Sequence, residues 1–169
     1  MPNFTDTTLF WQFAVAVYET DSMQEICLHF QDSYGLNVNL LLLCVWLDAH
    51  HCAINNDDFV TLQDAITETD RELHLLREKR KGFDRKSDAY RCILANELEV
   101  EAQQQCQLLL TLTSVSIKRV TQGTRPDATL HAYLKQGGVE DKSVYLSDLK
   151  QVLKKNNYFY NLIRSNDKG

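Results

Sequence analysis

Val38 to Leu47 is apolar on every side except at Asn39. A helix of that composition has no face to give to water, so it must lie at the centre of a bundle with other helices around it. Its leucine-rich stretch, Leu40 to Leu47, is far shorter than the roughly 20 residues that cross a bilayer. The run therefore predicts a globular core and no membrane partner. A chain of 169 residues can build one good core, or a domain of about 100 residues with an appendage. The 44% hydrophobic content agrees with a folded chain.

Helical periodicity dominates on either side of this run. Asp6 or Thr7 can cap a first helix with Leu9, Phe10, Phe13, Ala14 and Val17 on one side. Ser22 and Glu25 have the spacing of a capping box, ahead of Met23, Ile26, Cys27 and Phe30 at i, i+3, i+4 and i+7. Gly35 supplies a left-handed residue to end that helix. Asn56 or Asp57 can start one long helix whose seam is Phe59, Ile66, Leu73 and Leu76, ending at Gly82. Ser87 can cap another, with Tyr90, Leu94, Leu98, Ala102, Cys106 and Leu109 stacked along one side. Glu97 and Glu101 then read as neighbours on a solvated face. Gly82 and Asp84 offer the turn of an antiparallel hairpin between the two long helices.

The texture changes near residue 110. Thr111, Thr113, Val115, Ile117 and Val120 are β-branched and suggest a short strand or extended link. Pro126 can open a short helix through Leu134, Gly137-Gly138 reads as a flexible joint, and a last helix is expected from Ser147 to about Asn156, before Tyr158-Phe159-Tyr160. The expectation is a mainly α protein: a helical bundle of about five helices at 1–112, with a small, basic, mostly helical C-terminal module at 113–169.

Charge follows the same division. Residues 1–70 hold 11 acids and no Lys or Arg, residues 71–91 hold eight bases, and residues 115–169 hold ten bases against five acids. A chain built this way can meet a polyanion at one end only. The five cysteines are odd in number and fall mostly on apolar faces, which suits reduced thiols in a cytoplasm. The polar start after Met1 carries no secretion signal pattern. Cys44, His50, His51 and Cys52 contain zinc-ligand chemistry, but no second Cys-x-x-Cys pair completes a site, so neither metal nor cofactor is expected. No phosphate-binding glycine loop, nucleophile elbow or dinucleotide fingerprint is present, and the chain reads as a non-enzyme.

Leu9-Phe-Trp-Gln-Phe-Ala14, Cys27-Leu-His-Phe-Gln31 and Gly35-Leu-Asn-Val-Asn-Leu-Leu-Leu-Leu-Cys-Val-Trp46 resemble a family of small bacterial proteins of unknown function. Further matching residues are Leu76, Arg77, Arg80, Glu97, Leu98, Glu101 and Gln104, so the likeness covers about 9–110. It implies an all-helical cytoplasmic protein and supplies no catalytic residues. A second stretch, Gln122-Gly-Thr-Arg-Pro126 with the helix ending at Gln136-Gly137, is similar to the DNA-binding end of the histone-like nucleoid-structuring silencers. In that family a Gln-Gly-Arg loop enters the minor groove of A·T-rich DNA. Here Thr124 stands where the arginine is expected, and Arg125 follows one place later.

Two sites emerge as candidates. On the silencer resemblance, Arg125 probes the groove, Gln122 and Gly123 shape the loop, and Lys118, Arg119 and Lys135 contact phosphate. That reading is a cytoplasmic transcriptional repressor that associates with itself or another regulator through its helices. Alternatives are an adaptor that meets an acidic protein without touching DNA, and a bundle that binds a small ligand. Trp11, Gln31, Asn39 and Trp46 outline the pocket of the last. Gln31, Asn37 and Asn39 adjoin apolar segments and need hydrogen-bond partners, with capping and core bonds the simpler use.

Overall fold

The computed structural model describes residues 4–20, 22–121, 123–140 and 142–155. At its centre is α3 (Val38–Ala49), buried from Asn39 through Ala49 as an all-apolar helix must be. Around it run α1 (Thr7–Tyr18), α2 (Met23–Tyr34), α4 (Asn56–Ala65), α5 (Thr67–Lys81), α6 (Asp88–Leu112), α7 (Ala128–Gln136) and α8 (Val144–Lys155). Two short strands, β1 (Cys52–Ala53) and β2 (Lys118–Arg119), pair antiparallel. The fold is mainly α, a helical bundle. No described helix is long and apolar enough to cross a membrane.

Local chemistry sets most of the boundaries. The Asp6 carboxylate accepts from the Leu9 N–H at 3.0 Å and opens α1. Asn37 opens α3 in the same way, its Oδ1 accepting from the Leu40 N–H at 2.9 Å. Gly35 ends α2 at φ 64°. The Ser87 hydroxyl accepts from the Tyr90 N–H at 3.1 Å and opens α6. Ser22 departs from expectation: it is left-handed at φ 62° and makes no side-chain cap, so the capping-box spacing does not operate. The single long helix expected from Asn56 to Gly82 is two helices broken at Ile66 (φ −105°, ψ 5°). That break lets both Phe59 and Ile66 point into the core while Leu73 packs along α6. The expected antiparallel hairpin is formed by α5 and α6.

The C-terminal segment differs more. The β-branched run from Thr111 is mostly helix end and loop, with only Lys118–Arg119 extended. The helix after Pro126 starts at Ala128, and the last helix begins earlier than expected, at Val144. The rest of the expected last helix and the aromatic cluster Tyr158–Tyr160 lie outside the described residues. Gly137-Gly138 is no loose joint: a Cβ at Gly137 would come within 2.4 Å of Leu36, so the glycine permits close packing there. Leu130, Tyr133 and Leu134 of α7 and Leu146 and Leu149 of α8 belong to the same core as α1 to α4. The boundary expected at 112/113 is therefore not a division of the core, in which α7 and α8 both take part.

One carboxylate fastens this segment. Asp48, near the end of α3, accepts from the Thr129 and Leu130 N–H groups, both at 2.9 Å. It does for α7 what an N-cap residue does from within its own helix. Burial pushes the Asp48 carboxyl up to about 7, against the lowering effect of these two donors. The Tyr133 ring stacks on Phe59 at 5.6 Å, and its hydroxyl accepts from the Asn37 N–H at 3.0 Å.

Candidate functional site

A cleft of about 480 Å³ opens between α1 and α2 on one side and α5 and α6 on the other, with α3 beneath. Small-molecule sites commonly fall between about 300 and 1,000 Å³. Its apolar wall includes Trp11, Val15, Leu28, Leu94 and Leu98. Leu94 is 38% exposed and Leu98 50% exposed, although both lie on the stripe that periodicity assigns to the core. The buried stripe of α6 is instead Ile93, Glu97, Val100, Gln104 and Leu108.

Polar residues are buried on that stripe because α5 and α3 supply partners. Glu97 is 4% exposed and is held by the Arg80 guanidinium, which also donates to the Tyr90 hydroxyl at 2.9 Å. Arg77 pairs with Glu101 at 3.3 Å. Burial raises the Glu101 carboxyl above its ordinary range, and Arg77 offsets part of the effect. Both glutamates were expected on a solvated face; the structure turns them to the α5 arginines along the cleft. The signal was present in the α5 sequence, where Arg77 and Arg80 share the spacing of Glu97 and Glu101 to within one residue.

Beneath the ion pairs lies a directed chain of amides. Gln105 Nε2 donates to Asn39 Oδ1 at 2.9 Å. Asn39 Nδ2 donates to Gln104 Oε1 at 2.8 Å, and Gln104 Nε2 to the Thr69 hydroxyl at 3.2 Å. Asn37 Nδ2 joins at Gln104 Oε1 at 3.0 Å. Each amide is oriented by the next, which leaves Gln105 Oε1 at the head. That oxygen is buried and has no hydrogen-bond partner among the described residues. Gln105, 6% exposed overall, is one of the residues lining the cleft.

Three of the four residues expected in a ligand pocket, Trp11, Gln31 and Asn39, line this cleft. Trp46 does not. It lies about two turns farther along α3, 4% exposed, with its ring 4.9 Å from Phe13 and 4.4 Å from His50. Seven positions separate Trp46 from Asn39, but the cleft ends beside Leu42 and the later turns of α3 are covered by α1.

The residues expected to contact DNA are more scattered. Lys118 and Arg119 are exposed on β2, and Lys118 Nζ donates to Asn55 Oδ1 at 3.2 Å. Gly123 is left-handed at φ 98°. Arg125 is engaged by its own neighbour: its guanidinium donates to the two Asp127 oxygens at 2.7 and 3.1 Å. Lys135 lies in the last turn of α7, about 10 Å along the helix from the loop. Gln122 lies outside the described residues. Among the described residues there is no group of three or more His, Cys, Asp and Glu placed to hold a metal. His50 Nδ1 lies 2.8 Å from the Trp46 carbonyl, and all five cysteines are free.

Neither a curated protein nor a solved structure matches the chain. A family model does, over residues 9–108, which covers the cleft lining from Trp11 to Gln105 and stops before the Gln122–Pro126 loop. With more than half of its length matched, the chain belongs to the family described as protein of unknown function DUF2390.

Proposed function

We propose that this is a non-enzymatic, cytoplasmic binding protein that holds a small ligand in the cleft between α1, α2, α5 and α6. The observation that carries the reading is the combination of an apolar wall with a buried, fixed polar floor. Four exposed or half-exposed apolar side chains, Trp11, Leu28, Leu94 and Leu98, face one concavity, and the Asn39–Gln105 network lies under it. Apolar surroundings with a few convergent polar groups are the usual make-up of a ligand site. The five free cysteines support the cytoplasmic location.

Titration with Nile red, an uncharged apolar dye, tests this. Saturable binding at one site is expected, with loss of binding in Leu98→Asp while helical circular dichroism is unchanged. Equal dye binding by Leu98→Asp, or none by the wild type, overturns the reading.

A silencing role on A·T-rich DNA is the competing proposal. It is supported by the exposure of Lys118, Arg119 and Lys135 and by the left-handed Gly123. The Arg125–Asp127 pair and the packing of α7 on the acidic bundle weigh against it. Gel-shift titration of A·T-rich and G·C-rich duplexes at two salt concentrations decides it. Binding that weakens in Arg125→Ala with loss of A·T preference favours the silencer; no shift at low salt removes it.

A further inference from the structure

The cleft also carries information about what it can hold, and the following rests on the ligand-binding reading above. Its charged lining, among the described residues, is Arg77 and Arg80 against Glu19, Glu97 and Glu101. Both arginines are already committed, Arg77 to Glu101 and Arg80 to Glu97 and Tyr90. Among the described lining residues an anionic ligand therefore meets no free cation and must approach an excess of acid. The amide chain adds a second constraint. Because Gln105 Nε2 is held by Asn39, and Asn39 in turn by Gln104, Gln105 cannot turn its amide over without breaking the chain. What it offers is Oε1, an acceptor, buried and unpartnered. The group that completes it must be a donor.

We propose that the ligand of this cleft is an uncharged or cationic amphiphile. Its O–H or N–H head donates to Gln105 Oε1. Its apolar body lies along Trp11, Leu28, Leu94 and Leu98. Anionic amphiphiles with the same body are rejected. Specificity follows from the asymmetry of the floor: a ligand without a donor leaves a buried acceptor unsatisfied, and a carboxylate places a second acceptor against it.

Four probes with one ten-carbon chain isolate the head group: decanol, decylamine, decanoate and decyl methyl ether. Their competition against Nile red on the wild-type chain at pH 7 gives relative affinities, and the Trp11 indole N–H resonance reports occupancy of the cleft. Decanol and decylamine are expected to bind about five- to tenfold more tightly than the ether, and decanoate at least tenfold more weakly than decylamine. In Gln105→Met the preference for decanol over the ether, read from the Trp11 resonance, is expected to vanish. Should that variant fail to fold, the wild-type ratio of decanol to ether decides alone. If Nile red binds but decanoate or the ether competes as well as decanol, the ligand class is wrong and the binding reading stands. If neither Nile red nor any probe binds, both are wrong.

Discussion

α3 and α6 both run through the interior, and they are buried for different reasons. α3 is buried by composition: Leu40 through Leu47 leave it no exposed side, and any bundle this chain forms must surround it. α6 has two candidate faces. One, through Tyr90, Leu94 and Leu98, is the more apolar and is left at the cleft. The other, through Ile93, Glu97, Val100 and Gln104, is buried despite two polar members. The choice is made across the interface. Arg80 is placed for Glu97 and Thr69 for Gln104, so polar atoms that would be costly alone are satisfied. Counting apolar residues on a helix therefore finds its buried face only when the neighbouring helix has no polar groups to offer.

The sharpest way to break this contrast is in α3. Trp46→Ala is expected to destabilise the fold by about 3–5 kcal/mol in urea unfolding, since Phe10 and Phe13 cannot both close the gap. A loss below about 1 kcal/mol would show that composition does not fix α3 at the centre. On α6, Glu97→Ala strips Arg80 of its main partner and is expected to cost about 2 kcal/mol. The double variant with Arg80→Ala should be less damaged than the two single losses added together; simple additivity would mean that the pair is not what buries this face.

Asp48→Ala removes the acceptor at the start of α7, with an expected cost of about 1–2 kcal/mol. Its pH dependence has a definite sign. The folded carboxyl is raised to about 7 from an unfolded value near 4. The Asp48 contribution is therefore full below about pH 4 and is lost as pH rises towards 7. Wild-type stability relative to Asp48→Asn should fall across that window and level off above it; a rise would reverse the assignment. The smallest effect belongs to the exposed stripe. Leu98→Ser should change stability by no more than about 0.5 kcal/mol while weakening Nile red binding, and a core-sized loss would place Leu98 in the interior after all.

What could be read in the sequence was what depends on neighbours along the chain. The burial of α3, the caps at Asp6 and Ser87, the left-handed Gly35 and the hairpin of α5 on α6 all follow from spacing or composition. The cleft was half legible: Trp11, Gln31 and Asn39 were found as polar or aromatic residues beside apolar runs. Trp46 was misplaced because the seven positions that keep it on the same side of α3 as Asn39 also carry it about 10 Å along the helix, past the end of the cleft. Glu97, Glu101 and Gln105 were missed because their burial depends on Arg80, Arg77 and Asn39, each on another helix. The break at Ile66 has no glycine or proline to announce it. Ser22 had the right spacing for a cap and the wrong backbone, which no spacing rule detects.

Asp48 and Thr129 are 81 positions apart, yet one completes the helix that the other begins. Such a helix cannot be inherited as a cassette. A gene fragment encoding only residues 113–169 would carry α7 without its acceptor, and one ending at 112 would keep a buried carboxylate with no donors to face. Recombination at that boundary would damage both products, so exchange of the C-terminal segment between related chains should require that α3 travel with it.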